Sequence, residues 1–355
     1  MFLAIRDIRF AKGRFALMGS VVGLITLLIV LLSGLTAGLA HQSTSAITQL
    51  PATHIAFGAA DGQAPEKSFA DSSVTAEQLA AYRAAPGVRW AVPLGITQTR
   101  LDTPAGGASA TVFGVTAEAG LSPAVVVPGE LVISRELAEE AGLAVGQRVQ
   151  AGVEELRIGG IVEDSYYSHT PVAWTALETW SQLRPPRADA AVATVIAADL
   201  ADPAAADAAA GTASETLSGS LAGIGSYSSE NGSLLMMQSL LYAISALVIG
   251  AFMTVWTIQR SGDIAVLKAL GGATGYLLRD ALAQSVVVLL LGAGLGGAVG
   301  VGLGALASQV VPFQLTAATT VLPVALMIVL GMIGAALAVR RITSVDPLTA
   351  LGAAR

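Results

Sequence analysis

Hydrophobic positions along this chain follow two kinds of pattern. Four runs, residues 15–40, 233–258, 281–311 and 320–339, contain no Asp, Glu, Lys or Arg. A helix needs ~20 consecutive apolar residues to cross the hydrocarbon core of a bilayer, so each run predicts a transmembrane helix. Residues 41–232 read differently, as short alternating or helical-period stretches punctuated by Gly, Pro and Ser, which is how a folded mixed domain is written. The expected fold class is a membrane protein with four transmembrane α-helices, one plus three, and a large α+β extracytoplasmic domain between the first and second spans.

Inside that domain, Thr75-Ala-Glu-Gln78 has capping-box spacing and predicts a helix that Pro86-Gly87 ends. Val88–Asp102 and Ala108–Val115 predict strands on either side of the turn Pro104-Ala-Gly-Gly107. Ser134 is placed to cap a short acidic helix, Arg135–Ala141, stopped by Gly142. Gln147–Gly152 and Leu156–Glu163 predict a strand pair. Residues 201–224, rich in Ala, Ser and Gly, predict one polar-faced helix leading back to the membrane.

Charge orients the spans. Arg6, Arg9, Lys12 and Arg14 precede the first span, and no Lys or Arg follows it until Lys67. Basic residues favour the cytoplasmic side, so the amphipathic N-terminus, 1–14, is expected in the cytoplasm. By the same count the segment 259–280, with Arg260, Lys268 and Arg279, and the tail 340–355, with Arg340, Arg341 and Arg355, are cytoplasmic. Residues 41–232 and the short loop 312–319 then lie outside a cell membrane. A cleaved signal peptide would also explain a basic start before an apolar run, but its hydrophobic stretch is roughly 7–15 residues and this first run is far longer.

Composition agrees and narrows the function. Mean hydropathy is +0.68 and charged residues are 12% of the chain, against about 25% in soluble proteins. The domain 41–232 holds 21 of the 25 acidic and 9 of the 19 basic residues, a formal charge of −12 against +6 for the remainder. An acidic external domain argues against a nucleic-acid partner. With no cysteine there is no disulfide and no thiolate chemistry. None of the three lysines stands in a P-loop, the histidines do not form His-Glu-x-x-His, and no Gly-x-Ser-x-Gly is present. The chain is therefore not expected to be an enzyme with its own active site or to carry an intrinsic cofactor.

Three local features remain. In the third span Gly292, Gly296, Gly300 and Gly304 recur every fourth residue, which predicts a face for close helix packing within one subunit. In the cytoplasmic island, Asp263-Ile-Ala-Val-Leu-Lys268-Ala-Leu-Gly271-Gly272 suits a short helix lying along the membrane and ended by its glycines, in the form of a docking element. At the external entry to the second span stands Tyr227-Ser-Ser-Glu230-Asn-Gly-Ser-Leu-Leu-Met236-Met237. A carboxylate at the lip of an apolar helix is costly unless hydrated, paired or bound to a cation. Glu230, Leu234, Met237 and Leu241 share one helix face; with Tyr227 and Met236 nearby, that face suits a flat apolar ligand with a metal centre. His41, at the matching end of the first span, is a second candidate ligand. The plainer reading of Glu230 is an N-terminal acid favoured by the helix dipole, and of the methionines, gap-filling side chains. Tyr166, Tyr167 and His169 read equally well as a solvated loop.

Over essentially its whole length the chain resembles permeases of the MacB/FtsX-like family of ABC transporters. The order of one span, large domain and three spans is similar. So are Asp263-Ile-Ala-Val-Leu-Lys-Ala-Leu-Gly-Gly-Ala273, with Ala265 where the family pattern has glycine, and the closing Asp346-Pro347-Leu-Thr-Ala350-Leu351. The resemblance implies a homodimer in contact with membrane lipid, working with a separate ABC subunit that binds and hydrolyses ATP. It also implies that 262–273 is the coupling helix, with Asp263, Lys268 and Leu270 as coupling residues. Within the family, 227–237 and 255–272 look most like HrtB-type haem exporter permeases. That likeness implies haem as the transported substrate, with Glu230, Tyr227, Met237, Met236 and His41 as candidate contacts and Glu230 as the candidate iron ligand. MacB- or Lol-like permeases for antibiotics or lipoproteins, and FtsX-like regulators of cell-wall hydrolases, are the alternatives the family offers.

Overall fold

The computed structural model describes residues 12–59, 64–103, 106–184, 190–259 and 274–343. Asp263, Lys268 and Leu270 lie outside the described residues, as do most of the N-terminal segment and the tail from 344. The chain divides into two compact units, one made of 1–38 with 232–355 and the other of 39–231. In chain order the helices are α1 (Lys12–Thr48), α2 (Ala76–Ala84), α3 (Arg135–Ala141), α4 (Leu177–Leu183), α5 (Ala204–Ala210), α6 (Leu217–Ser220), α7 (Gly225–Gln259), α8 (Thr274–Ala307) and α9 (Ala317–Thr343). The strands are β1 (His54–Phe57), β2 (Val74–Thr75), β3 (Val88–Thr103), β4 (Gly106–Val115), β5 (Glu130–Ser134), β6 (Arg148–Ala151), β7 (Glu154–Val162), β8 (Tyr166–Tyr167), β9 (Thr170–Ala176), β10 (Ala191–Ala193), β11 (Val195–Leu200) and β12 (Ala213–Thr216).

Among the described residues four helices, α1, α7, α8 and α9, are long and apolar enough to cross a membrane. Their shared core gathers Phe15, Met18, Val22 and Ile29 of α1, Ile249 of α7, Val288, Leu289 and Ala293 of α8, and Met327 and Ala335 of α9. Buried hydroxyls within the spans are satisfied locally: Thr26 donates to the Val22 carbonyl at 2.8 Å and Ser245 to that of Leu241 at 2.6 Å, the back-bonding expected where no water is present. The glycine face of α8 meets α1. A Cβ on Gly296 would stand 2.1 Å from the Gly23 carbonyl oxygen, and one on Gly292 2.8 Å from that of Gly19. The two backbones are in contact because neither carries a side chain there. Further along, the Phe313 ring fills the space over Gly34 and Gly304.

The 39–231 unit is a mixed sheet with two architectures joined by one strand. The strand order is β12-β1-β11-β3-β4-β9-β5-β7-β6, and β6 returns to pair with Leu101 and Asp102 of β3. Strands β3, β4, β9, β5, β7 and β6 thus close into a ring, filled by Leu101, Val112, Leu131, Ile133, Val149, Leu156 and Ile158 with Leu137 of α3 and Trp180 of α4. Strands β12, β1 and β11 extend β3 as an open sheet whose inner strands β1 and β11 are buried, while β2 and β10 pair separately. Along β11, Val195 and Ala197 point into a core with Ile55, Phe57, Leu94 and Phe113, whereas Ile196, Ala198 and Leu200 point into another with Leu79, Tyr82 and Ala206 from α2 and α5. That alternation follows from the period-two geometry of a strand.

Local rules explain the boundaries. Thr75 and Gln78 exchange the two hydrogen bonds of a capping box at the start of α2, and Ser134 accepts from the Leu137 N–H at the start of α3, which Gly142 ends in the left-handed conformation. The stretch 201–224 departs from its expected single helix. Gly211, at φ 63°, terminates α5, and the Asp207 carboxylate accepts from Thr212 Oγ1, Ser214 N and Ser214 Oγ. An Asp side chain bonding its own downstream backbone competes with helix; the chain turns, and β12 pairs antiparallel with β1.

Candidate functional site

Helix α1 does not stop at Ala40 but runs to Thr48, and its polar stretch Ser43-Thr44-Ser45 is buried. What covers it is the hairpin of β8 and β9, whose registers pair Tyr167 with Thr170 and leave Ser168-His169 as a two-residue tip. Both tip residues have positive φ, 49° and 65°, the conformation that hairpin turns normally assign to Asn or Gly. Surrounding bonds hold it there. Ser168 N donates to the Ser43 carbonyl at 3.0 Å, His169 N to that of Gln42 at 3.1 Å, and Tyr166 N to Ser45 Oγ at 2.8 Å. On the other side Ser168 Oγ and Ser226 Oγ, in the first turn of α7, lie 2.9 Å apart.

Glu230 is reached from this tip. His169 Nε2 is 2.9 Å from Glu230 Oε2 and 2.9 Å from Ser43 Oγ. An ionised carboxylate can only accept, so Nε2 carries the proton and donates it, shared between the carboxylate and the serine hydroxyl. The Glu230 side chain is 44% exposed and that of His169 29%, so the pair is partly open to what lies outside. Beside it the His41 and Tyr166 rings meet edge to face at 6.0 Å. The Tyr166 hydroxyl donates to the Glu136 carboxylate; burial first, and that carboxylate second, push its phenol above the usual tyrosine range.

The structure thus pairs Glu230 with His169, whose ring nitrogen also meets Ser43, while His41 contacts Tyr166 instead. Tyr227 is half-buried against the aromatic core, and Met236 and Met237 are exposed on α7 beyond Glu230. His54 forms a 3.0 Å contact with its neighbour Thr53 and stands apart from this group. His169 is the residue that sequence reasoning passed over. Its signal was weak: a two-residue hairpin tip without Gly or Asn does not announce itself as a turn.

Comparison with known proteins identifies the family. Residues 15–214 match the model of the MacB-like periplasmic core domain, and 235–347 that of the FtsX-like permease C-terminal region. The chain is an ABC transporter permease of the MacB/FtsX type. The 39–231 unit of this permease is accordingly its extracytoplasmic domain, and family membership implies a partner ATPase subunit. A putative hemin transport system permease protein HrtB of Staphylococcus haemolyticus is 27% identical over 365 residues, covering 99% of each chain. An uncharacterised ABC transporter permease of Mycobacterium bovis is 26% identical over 361 residues, again covering 99% of each. Among solved structures, the extracellular domain of the noncanonic ABC-type transporter YknZ is similar with a TM-score of 0.34 at 12% identity, covering 46% of this chain and 98% of that one. The periplasmic region of MacB from Actinobacillus actinomycetemcomitans gives 0.35 at 10%, covering 48% and 92%.

Proposed function

We propose that this permease exports haem taken from the membrane, as a homodimer driven by a separate cytoplasmic ATP-hydrolysing subunit, and so serves detoxification. The observation that carries the reading is Glu230: a carboxylate at the start of a span, with one oxygen engaged by His169 and the other left to meet a ligand. Haem is flat, partitions into membranes and presents an iron that an oxygen ligand can hold. The exposed Met236 and Met237, further along the same helix, supply polarizable apolar contact of the kind such a ring takes. The full-length likeness to putative hemin transport permeases supports the same substrate. In this reading both termini are cytoplasmic, and Asp263, Lys268 and Leu270 belong to the segment that meets the ATPase.

The test is a haemin titration of the detergent-purified permease followed in the Soret band, wild type beside Glu230→Ala and His41→Ala. Saturable binding at about one haemin per dimer, lost in Glu230→Ala, is expected. Absent or unchanged binding would refute haem export through this site and turn the reading to antibiotic or lipoprotein transport, or to regulation of a cell-wall hydrolase.

A further inference from the structure

His169 bonds Glu230 directly, and the export reading provides no task for it. It stands at the tip of a hairpin whose two central residues are both in the left-handed region, at φ 49° and 65°. Non-glycine residues in this region cost on the order of 1–3 kcal/mol each and persist where surroundings over-determine them. Here the surroundings do so with five contacts. Two backbone N–H groups bond carbonyls of α1, Ser168 Oγ meets Ser226 of α7, and the imidazole reaches Ser43 of α1 and Glu230 of α7 together. The two tip residues therefore join the far end of α1 to the beginning of α7, and at His169 a single ring nitrogen meets both helices.

We propose that His169 is the positioning residue of the Glu230 site: its Nε2–H fixes one carboxylate oxygen, presenting the other outward, and the same contact clasps α1 to α7. The inference rests on the reading of Glu230 as the carboxylate that meets the exported ligand. An unsupported glutamate on an exposed helix turn samples several rotamers. A hydrogen bond at Oε2 removes that freedom before the ligand arrives, leaving Oε1 as the available donor atom. Partners that orient a metal-binding carboxylate in this way change affinity by about 10–100-fold when removed.

Four proteins distinguish the outcomes: wild type, His169→Ala, His169→Gly and His169→Gln. The glycine variant removes the imidazole while relieving backbone strain, and glutamine restores an N–H donor near the Nε2 position. Each is measured without ligand by hydrogen–deuterium exchange of the segment around 165–171, and with haemin by Soret titration beside Glu230→Ala. The expected result is a loss of about 10–100-fold in haemin affinity in the alanine and glycine variants, with the wild-type band position kept and affinity recovered in His169→Gln. Exchange at Ser168 and His169 should accelerate about tenfold or more in His169→Ala, again recovered by glutamine. Wild-type affinity in His169→Ala, with Glu230→Ala defective, overturns the inference and leaves the haem reading standing. A changed Soret position in His169→Ala overturns it too, since His169 would then be a ligand itself. If wild type binds no haemin, the haem reading fails alone, and exchange decides the clasp: acceleration with recovery supports it, unchanged exchange overturns it.

Discussion

Replacing Gly296 with alanine isolates the contact between α1 and α8. The added Cβ would lie 2.1 Å from the Gly23 carbonyl oxygen and 2.8 Å from both the Gly23 carbonyl carbon and Cα. Ordinary contact begins near 3.4 Å, so the helices must part by ~1.3 Å at that level, and the obstacle is backbone, which has no rotamer to move. A radial gap of 0.5–1 Å already forfeits a quarter to a half of a dispersion well. The neighbouring approaches, Gly292 to Gly19 and Gly300 to Val30, open with it. Overpacking of this kind costs typically 1–3 kcal/mol. The control lies on the same helix: Gly294 and Gly302 have nothing within 4 Å of an added Cβ, so alanine there meets no clash and gains slightly in helix propensity. Thermal unfolding of the purified permease in one detergent, read by circular dichroism at 222 nm, should give a lower midpoint for Gly296→Ala and an unchanged or higher one for Gly294→Ala and Gly302→Ala. Equal midpoints for all three would refute the packing argument.

Phe313→Ala empties the space over Gly34 and Gly304 and should lower the midpoint of the same melt, by less than the about 3–5 kcal/mol of a fully buried ring because Phe313 is half-buried. Thr75→Ala breaks the capping box of α2; about 1 kcal/mol of stability should be lost from the extracytoplasmic domain, measurable by denaturant titration. Tyr167, buried in a row of edge-to-face rings with Phe69 and Phe113, has its phenol pushed up by burial, as Tyr166 has by burial and Glu136. Both phenols are raised in the fold relative to about 10 in the unfolded chain, so their contribution is complete below pH ~10 and lost as pH rises above it. The melting midpoint should fall above that pH, less steeply in Tyr167→Phe, and a pH-independent midpoint would count against the assignment.

The spans were readable because charge is excluded from hydrocarbon, and four charge-free runs correspond to four long helices. Local chemistry was equally plain where the partners lie within a few residues, as at Thr75 with Gln78 or Ser134 with Leu137. What escaped depends on residues distant in the chain. Residues 201–224 look helical until β1 offers β12 a pairing edge. Closure of the ring needs β6 to find the end of β3. His169 becomes notable only when the fold brings it to Ser43 and Glu230, 126 and 61 positions away. Glu230 stood out by itself, since its cost at a span entrance is a one-residue argument.

Strand β3 makes the extracytoplasmic domain a single cooperative object. Ala91 lies in the core beneath α2 and α5, Leu94 in the opposite core of the open sheet, and Leu101 inside the ring. A slip of one residue would exchange the faces of all three at once, so no core can melt or misregister while its neighbours remain native. Equilibrium unfolding of this domain should follow one transition rather than successive steps. Assembly must also wait for distant chain, because Thr111 pairs with Val172 and Leu94 with Val195. Such non-local pairing is slow. During biogenesis the central strand therefore remains an open edge until nearly all of the domain has been synthesised.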